Sequence, residues 1–369
     1  MSKLLYITNQ ICGPGGLERV LSIKTKYLID TFGYEIHVIT LNQGGKELFY
    51  EFHENIKIHD ITLNNRNPII YLKEYRNSIK AILKTVEPNI LLVCDDGLKG
   101  LIAPVIIGKP CPMVYERHVS KNATLQNDNP GLLQQLKTWV TYKLMNFGAA
   151  KYDRFVVLTN GNKKEWNLKN IVVIPNPLSF FPKETSTLKN KKVIAVGKQS
   201  YQKGYDRLLK SWKFVHNKHP DWVLDIYGTI NKNEGLEGLA EKLGVLKSVN
   251  FFEPVKNIAE KYKEASIYVM SSRYEGFGMV LTEAMAYGVP CISFDCPYGP
   301  GDIIKNGTDG FLVVNGDMEA LSTKINSLIE DETLRYNMGM QARENVKGYL
   351  PTNIIMQWDA LFKQLNTNG

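Results

Sequence analysis

Along this chain short apolar runs alternate with longer stretches in which apolar residues recur every three or four positions. The runs read as buried strands and the periodic stretches as amphipathic helices, the pattern of a parallel sheet covered on both faces. In the first half the expected strands are Lys3–Thr8, Glu35–Thr40, Ile56–Ile61, Ile90–Val93, Met113–Glu116, Phe155–Leu158 and Val172–Ile174. Helices are expected over Leu17–Phe32, with Val20, Leu21, Ile23, Tyr27 and Leu28 toward the sheet, and over Tyr71–Thr85, Gly97–Ile107 and Leu132–Ala149. Gly33 is a natural stop for the first of these.

A second cycle starts at Lys192–Val196. It continues through Asp206–His216, Val223–Tyr227, Gly235–Leu243, Val249–Phe252, Ile258–Lys263, Ile267–Met270, Met279–Tyr287, Pro290–Phe294, Gly310–Val313 and Met318–Glu330. Between the cycles, Pro175 to Lys191 gathers prolines, polar residues and lysines, the composition of a linker. The last stretch, Pro351–Leu365, carries an apolar stripe of Ile354, Ile355, Trp358, Leu361 and Phe362. The chain of 369 residues thus divides into two α/β domains, 1–178 and 179–351, followed by a terminal helix over 352–369.

Composition narrows the class. The start is too short for a signal peptide, and no long charge-free apolar run predicts a spanning helix. Five scattered cysteines without C-x-x-C or zinc spacing suit free thiols in a reducing cytosol. Net charge is +8, and residues 1–180 carry most of it, with 22 Lys and Arg against 15 Asp and Glu. A basic first domain suits an anionic membrane surface or a phosphorylated acceptor; the plainer reading is a solubilising lysine surface. No dense basic run with interleaved aromatics points to nucleic acid.

The segment Ser271–Gly310 is the richest in chemistry. Glu275 and Glu283 flank a tight loop, Gly276-Phe277-Gly278, that opens a helix near Met279. Glycines let a backbone approach a ligand, and the unpartnered first-turn amides, near Val280 and Leu281, suit a phosphate. A carboxylate accepts well from paired sugar hydroxyls, so one glutamate suits a ribose and the other a transferred sugar.

With Ala284, Ala286, Gly288, Pro290, Ile292, Asn306, Gly307 and Gly310, this run resembles the E-x7-E segment of family 4 retaining glycosyltransferases. Val196-Gly197-Lys198 with Lys203-Gly204 is similar to the G-R-x4-K-G motif of that family, with lysine where arginine is usual. A lysine supplies charge without a bidentate fork. The loop Gly13-Pro14-Gly15-Gly16-Leu17-Glu18-Arg19 resembles the glycine loop G-G-x-E-R. The resemblance covers nearly the whole chain and is strongest over 193–314.

The resemblance implies a GT-B fold: two Rossmann-like doubly wound domains facing each other across a cleft. The first would bind the acceptor, the second the donor, and the C-terminal helix would cross back to the first. Lys198 and Lys203 would grip the donor diphosphate. Gly15, Gly16, Gly276, Phe277, Gly278, Val280, Leu281 and Glu283 would complete the donor site, with Glu275 and Lys203 in the chemistry. A histidine after the middle strand of the first domain would lie near the sugar. That position falls on His118, with Glu116 and Arg117 as the alternatives lining acceptor or cleft.

The reaction so implied is retaining, with neither metal nor other cofactor. It would move a hexose or N-acetylhexosamine from a nucleotide-sugar, with UDP the expected nucleotide, to a saccharide or polyprenol-linked acceptor. The setting would be surface-polysaccharide synthesis in the cytoplasm or peripherally on the membrane's inner face. Asp95-Asp96 lacks D-x-D spacing for a metal. The competing readings are a GT-B nucleotide-sugar epimerase and a non-catalytic nucleotide-sugar-binding protein.

Overall fold

The computed structural model describes residues 2–121 and 131–367. These form two compact units, one built from 2–121, 131–179 and 351–367, the other from 180–350. Along the chain run β1 (Lys3–Ile7), α1 (Gly16–Phe32), β2 (Glu35–Leu41), β3 (Lys57–Ile61), α2 (Pro68–Val86) and β4 (Ile90–Val93). Then come α3 (Leu98–Leu101), α4 (Ala103–Ile107), β5 (Met113–Glu116), α5 (Leu132–Ala149), β6 (Arg154–Val157), α6 (Asn160–Lys164) and β7 (Ile171–Val173). The second unit holds β8 (Lys192–Val196), α7 (Tyr205–Lys218), β9 (Val223–Tyr227), α8 (Leu236–Leu243), β10 (Val249–Phe252), α9 (Ile258–Glu264) and β11 (Ile267–Met270). It continues with α10 (Met279–Ala286), β12 (Cys291–Asp295), α11 (Pro300–Ile303), β13 (Gly310–Val314), α12 (Met318–Glu330) and α13 (Glu332–Val346). The last element, α14 (Pro351–Thr367), returns to the first unit.

Each unit is a parallel sheet wound in both directions. The first sheet has the order β3-β2-β1-β4-β5-β6-β7, the second β10-β9-β8-β11-β12-β13. In register, Leu4 lies opposite both Ile36 and Ile90, and Ile194 opposite both Asp225 and Tyr268. Strand order reverses between β1 and β4 and between β8 and β11. In such sheets ligands bind beyond the carboxyl ends of the strands at that reversal. Both motif-bearing loops, 13–16 after β1 and 197–203 after β8, leave the sheet there.

The cores follow from the strand sequences, which are apolar on both faces because helices cover both. In the first unit Leu5, Ile7, Leu91, Val93 and Phe155 pack against Tyr75, Ile79 and Met145 from the helices. In the second, Trp212 from α7 is fully buried among Leu224, Ile226 and Ile325, its indole N–H donating to Ser248 Oγ at 3.1 Å. No described helix is long and apolar enough to cross a membrane.

Several elements depart from the sequence pattern. The stretch 97–107 breaks in two at Ile102, just ahead of Pro104 in the first turn of α4. On α1, Lys24 and Thr25 are buried, whereas Ile23 and Tyr27, expected toward the sheet, are only half-buried. Helices α6 and α13 have no counterpart in the apolar periodicity. Residues 368 and 369 of the expected terminal helix lie outside the described residues.

Candidate active site

In the second unit β8 ends at Val196, and the chain turns through Tyr201–Lys203 before α7 begins. Gly204 makes that turn possible. Its φ is +62°, and a Cβ there would strike the Ser271 carbonyl. The turn is thereby pressed onto the loop that leaves β11. Ser271 Oγ donates to the Lys203 carbonyl at 2.8 Å, and the Arg273 amide to the Gln202 carbonyl at 2.7 Å.

This contact brings Lys203 and Glu275 together. Lys203 Nζ lies 2.7 Å from Glu275 Oε1, and Ser272 Oγ donates to the same oxygen at 2.6 Å. The Glu275 amide donates to the Pro297 carbonyl, and its carbonyl accepts from the Tyr298 amide. Glu275 is thus fixed through backbone and side chain, with its carboxylate 7% and the Lys203 side chain 20% exposed. Lys198 is exposed and makes no ion pair among the described residues.

Gly278 at φ +99° caps α10 without a side-chain acceptor. The Leu281 amide already donates to the Gly278 carbonyl at 2.9 Å. The first-turn amides without a partner inside the helix are therefore those of Met279 and Val280, one residue earlier than the spacing suggested. Phe277 is buried and meets Tyr349 edge-on at 5.5 Å between ring centres. Glu283, inside α10, is 1% exposed and accepts from the Tyr262 hydroxyl at 3.1 Å. The two glutamates therefore differ: Glu275 is locked to a cation near the surface, and Glu283 is held from α9 within the fold.

The first unit has its own cluster. After β1 the chain passes through Gly13–Gly16 into α1, and the Glu18 carboxylate folds back into the space that a Cβ on Gly13 or Gly15 would fill. Burial raises the Glu18 carboxyl above its ordinary range, against its own backbone hydrogen bond and the nearby His118. At the end of β5, both oxygens of Glu116 lie 2.5 Å from Lys24 Nζ, deep in the unit. The Lys24 ammonium also sits over the rings of Trp358, at 4.2 Å, and Tyr6, at 5.0 Å. Burial opposes the Glu116 charge, but attraction to Lys24 and then His118 prevails and holds it down at about 2.

Arg117 and His118, like Glu116, meet partners inside the unit. Arg117 donates from Nε to the Val119 carbonyl at 2.9 Å and from Nη1 to the Asp96 carbonyl at 2.7 Å. His118 is anchored through its amide to Asp96 Oδ1 at 3.2 Å, and its Nε2 lies 3.4 Å from Glu116 Oε2. Cys94, Glu116 and His118 each bring one ligand atom within 4.8 Å of the others. The set suits a metal poorly, because the Lys24 ammonium sits on Glu116 and burial pushes the Cys94 thiol well above its ordinary value.

Sequence reasoning missed Lys24, Ser272, Arg273 and Tyr262. Arg273 forks onto Asp206 at 2.9 and 3.0 Å and lies 4.0 Å above the Tyr201 ring, clamping the lysine turn to the glutamate loop. Its signal was the Ser-Arg-Tyr-Glu run itself. For Lys24 the signal was a lysine in the apolar stripe, three residues after Leu21 and four before Leu28.

Residues 179–345 match the family model for glycosyl transferases of group 1, and residues 21–155 match the glycosyl transferase 4-like model. The amylovoran biosynthesis glycosyltransferase AmsD of Erwinia amylovora is 30% identical over 97% of this chain and 99% of its own. The protein belongs to the group 1 glycosyl transferases. A further member-like relative is a Campylobacter jejuni alpha-1,4-N-acetyl-D-galactosaminyltransferase whose name carries an undecaprenol-linked GalNAc acceptor. It is 24% identical over 99% of both chains. Among solved structures, sucrose-phosphate synthase of Thermosynechococcus elongatus superposes with a TM-score of 0.82 at 17% identity, covering 100% of both chains. Anabaena HepE in complex with UDP-glucose gives 0.77 at 17% identity, covering 99% of this chain and 100% of its own. At these identities the structures show the fold, that of GT-B glycosyltransferases. The lysine turn and the glutamate loop, both within the matched residues, lie at the carboxyl ends of β8 and β11.

Proposed function

We propose that this glycosyltransferase is a retaining, metal-independent enzyme of surface-polysaccharide synthesis acting on the cytoplasmic side. It transfers a hexose or N-acetylhexosamine from a UDP-sugar to a saccharide or polyprenol-linked acceptor. The observation that carries the reading is the Lys203–Glu275 pair, braced by Ser272 and set beside the N-terminus of α10. Lys203, Lys198 and the first amides of α10 hold the donor diphosphate and stabilise the charge that grows on it as the glycosidic bond breaks. With two ammonium groups in that role no metal is required. Glu275 accepts from the transferred sugar, and Glu283 from the ribose, sharing it with the Tyr262 hydroxyl. Front-side displacement leaves the departing phosphate to take the acceptor's proton, so the enzyme's remaining task is to position the acceptor. In the first unit we assign His118, whose Nε2 lies 3.4 Å from Glu116 Oε2, to the catalytic machinery. UDP and the polyprenol-linked acceptor are supported by HepE with its bound UDP-glucose and by the name of the Campylobacter relative.

The test is nucleoside diphosphate release from a panel of UDP-, GDP- and ADP-sugars, with and without EDTA. One donor is expected to be hydrolysed slowly without acceptor, insensitively to EDTA and not by Glu275→Ala. Abolition by EDTA would sink metal independence. A donor isomerised without release would mark an epimerase, and nucleotide bound without turnover of any donor would mark a binding protein.

A further inference from the structure

Helix α5 is apolar on both faces. Met145 and Ala149 face the sheet in the first unit's core. Yet Leu132, Leu133, Leu136, Trp139, Leu144 and Phe147 are exposed, from 86% for Leu132 down to 44% for Leu144. At 3.6 residues per turn these six fall within one arc of about 140°. An apolar stripe of this width on a helix ordinarily faces a core. An exposed apolar strip this long marks a surface built to meet something.

The charges say what. The sequence of α5 contains no acidic residue, and exposed Lys137 and Lys143 border or interrupt the strip, with Lys151 just beyond its end. Lys143 and Lys151 lie over the rings of Trp139 and Phe147, at 5.6 and 5.0 Å. Aliphatic stems thus cover aromatic surface while the ammonium groups face outward. Helices α2 and α4 belong to the same layer, burying Tyr75, Ile79 and Ile107 in the core that α5 also covers. Between them lies a pocket of ≈ 460 Å³ lined by Lys80, Lys84 and Lys109 with Leu83, Ile107 and Pro110. Lys73 and Arg76 extend the basic face along α2.

We propose that this layer docks on an anionic lipid bilayer: the α5 strip enters the headgroup boundary while Lys137 and Lys143 of α5 and Lys73, Lys80 and Lys84 of α2 meet lipid phosphates. A protein partner would need apolar surface ringed by acids, whereas a bilayer supplies both features along the full helix. The inference deepens the reading of a polyprenol-linked acceptor, on which it rests, since such an acceptor is held in a membrane.

Trp139 reports the event. Trp166, Trp212, Trp222 and Trp358 are buried, so a change in emission on adding vesicles comes from Trp139. The full-length protein is mixed with vesicles of phosphatidylcholine alone or with phosphatidylglycerol, and flotation and tryptophan emission are read. Flotation and a blue shift with the anionic vesicles are expected. Lys137→Glu/Lys143→Glu should weaken that binding about tenfold or more. Trp139→Ser/Phe147→Ser should abolish the shift and the flotation while keeping acceptor-free nucleotide release, measured without lipid. Binding to neither vesicle would overturn the proposal, as would undiminished flotation of the Trp139/Phe147 variant. A doubled mass without lipid, with Trp139 already shielded, would overturn it in favour of a second copy. Nucleotide release without vesicle binding defeats this proposal alone; vesicle binding without turnover of any donor defeats the enzymatic reading alone.

Discussion

Each unit of this protein carries a lysine–glutamate pair, and the two pairs do different work. Lys24–Glu116 in the first unit is sealed, with side chains 0% and 2% exposed under the rings of Trp358 and Tyr6. Lys203–Glu275 in the second is tied down by Ser272 and backbone, yet 20% and 7% exposed. A sealed pair cannot trade its partner for a ligand, so its charges serve to place their neighbours, here His118. The second pair, with its lysine a fifth exposed, is placed to open, as the proposed donor role requires. Between these two ion pairs the difference lies in burial and not in residue type.

That contrast can be broken by substitution. The largest effect should come from Lys24→Met, which strips the buried Glu116 of its ammonium partner and should cost roughly 3–5 kcal/mol in urea unfolding. Lys24→Met/Glu116→Leu should recover most of it. If Lys24→Met is as stable as wild type, the first pair is not sealed. Glu275→Ala should cost less in unfolding, about 1–3 kcal/mol, but lower kcat for donor turnover about 10²–10³-fold. Lys198→Ala should weaken donor binding about tenfold, read in KM, with Lys198→Arg restoring it. A loss in kcat alone would assign Lys198 to the reaction step instead.

The smallest effect is in acid. Because the folded protein holds the Glu116 carboxyl down at about 2, against an ordinary 4.5, its stabilisation is complete above 4.5 and lost as pH falls toward 2. Melting temperature should therefore fall more steeply across that window in wild type than in Lys24→Met/Glu116→Leu.

The doubly wound sheets were readable because the strands are short runs of Val, Ile and Leu, as in Ile90–Val93, whose burial on both faces demands an unbroken apolar run. The E-x7-E segment was readable because its parts are local: a glycine loop, a helix start and two carboxylates within nine residues. Helix α13 was not readable. Its buried stripe is Arg335, Met338, Gly339, Ala342 and Val346, in which a charged and two small residues dilute the apolar rhythm. Arg335 is buried because it donates to the carbonyls of Leu188 and Ile329, at 3.2 and 3.1 Å. Gly339 is there because a side chain would strike the Gly288 carbonyl. Lys24 was hidden for a similar reason. A lone lysine reads as solvated until the fold brings Glu116, 92 residues away, against it. The surroundings of Glu116, Arg117 and His118 were likewise hidden, since their partners Asp96 and Lys24 come from other segments.

Helix α14 carries a consequence for how the protein is made. Trp358 and Phe362 complete the first unit, and Asp359 receives the Tyr34 hydroxyl at 2.9 Å. Residues 180–350, the whole second unit, are synthesised before this helix emerges. At ordinary elongation rates that is a wait on the order of ten to thirty seconds. Through that interval Lys24 has its carboxylate but not its indole roof, and the groove awaiting α14 stays open on the ribosome. The first unit begins folding early and finishes last, so a chain released short of α14 would present that open groove to chaperones and proteases.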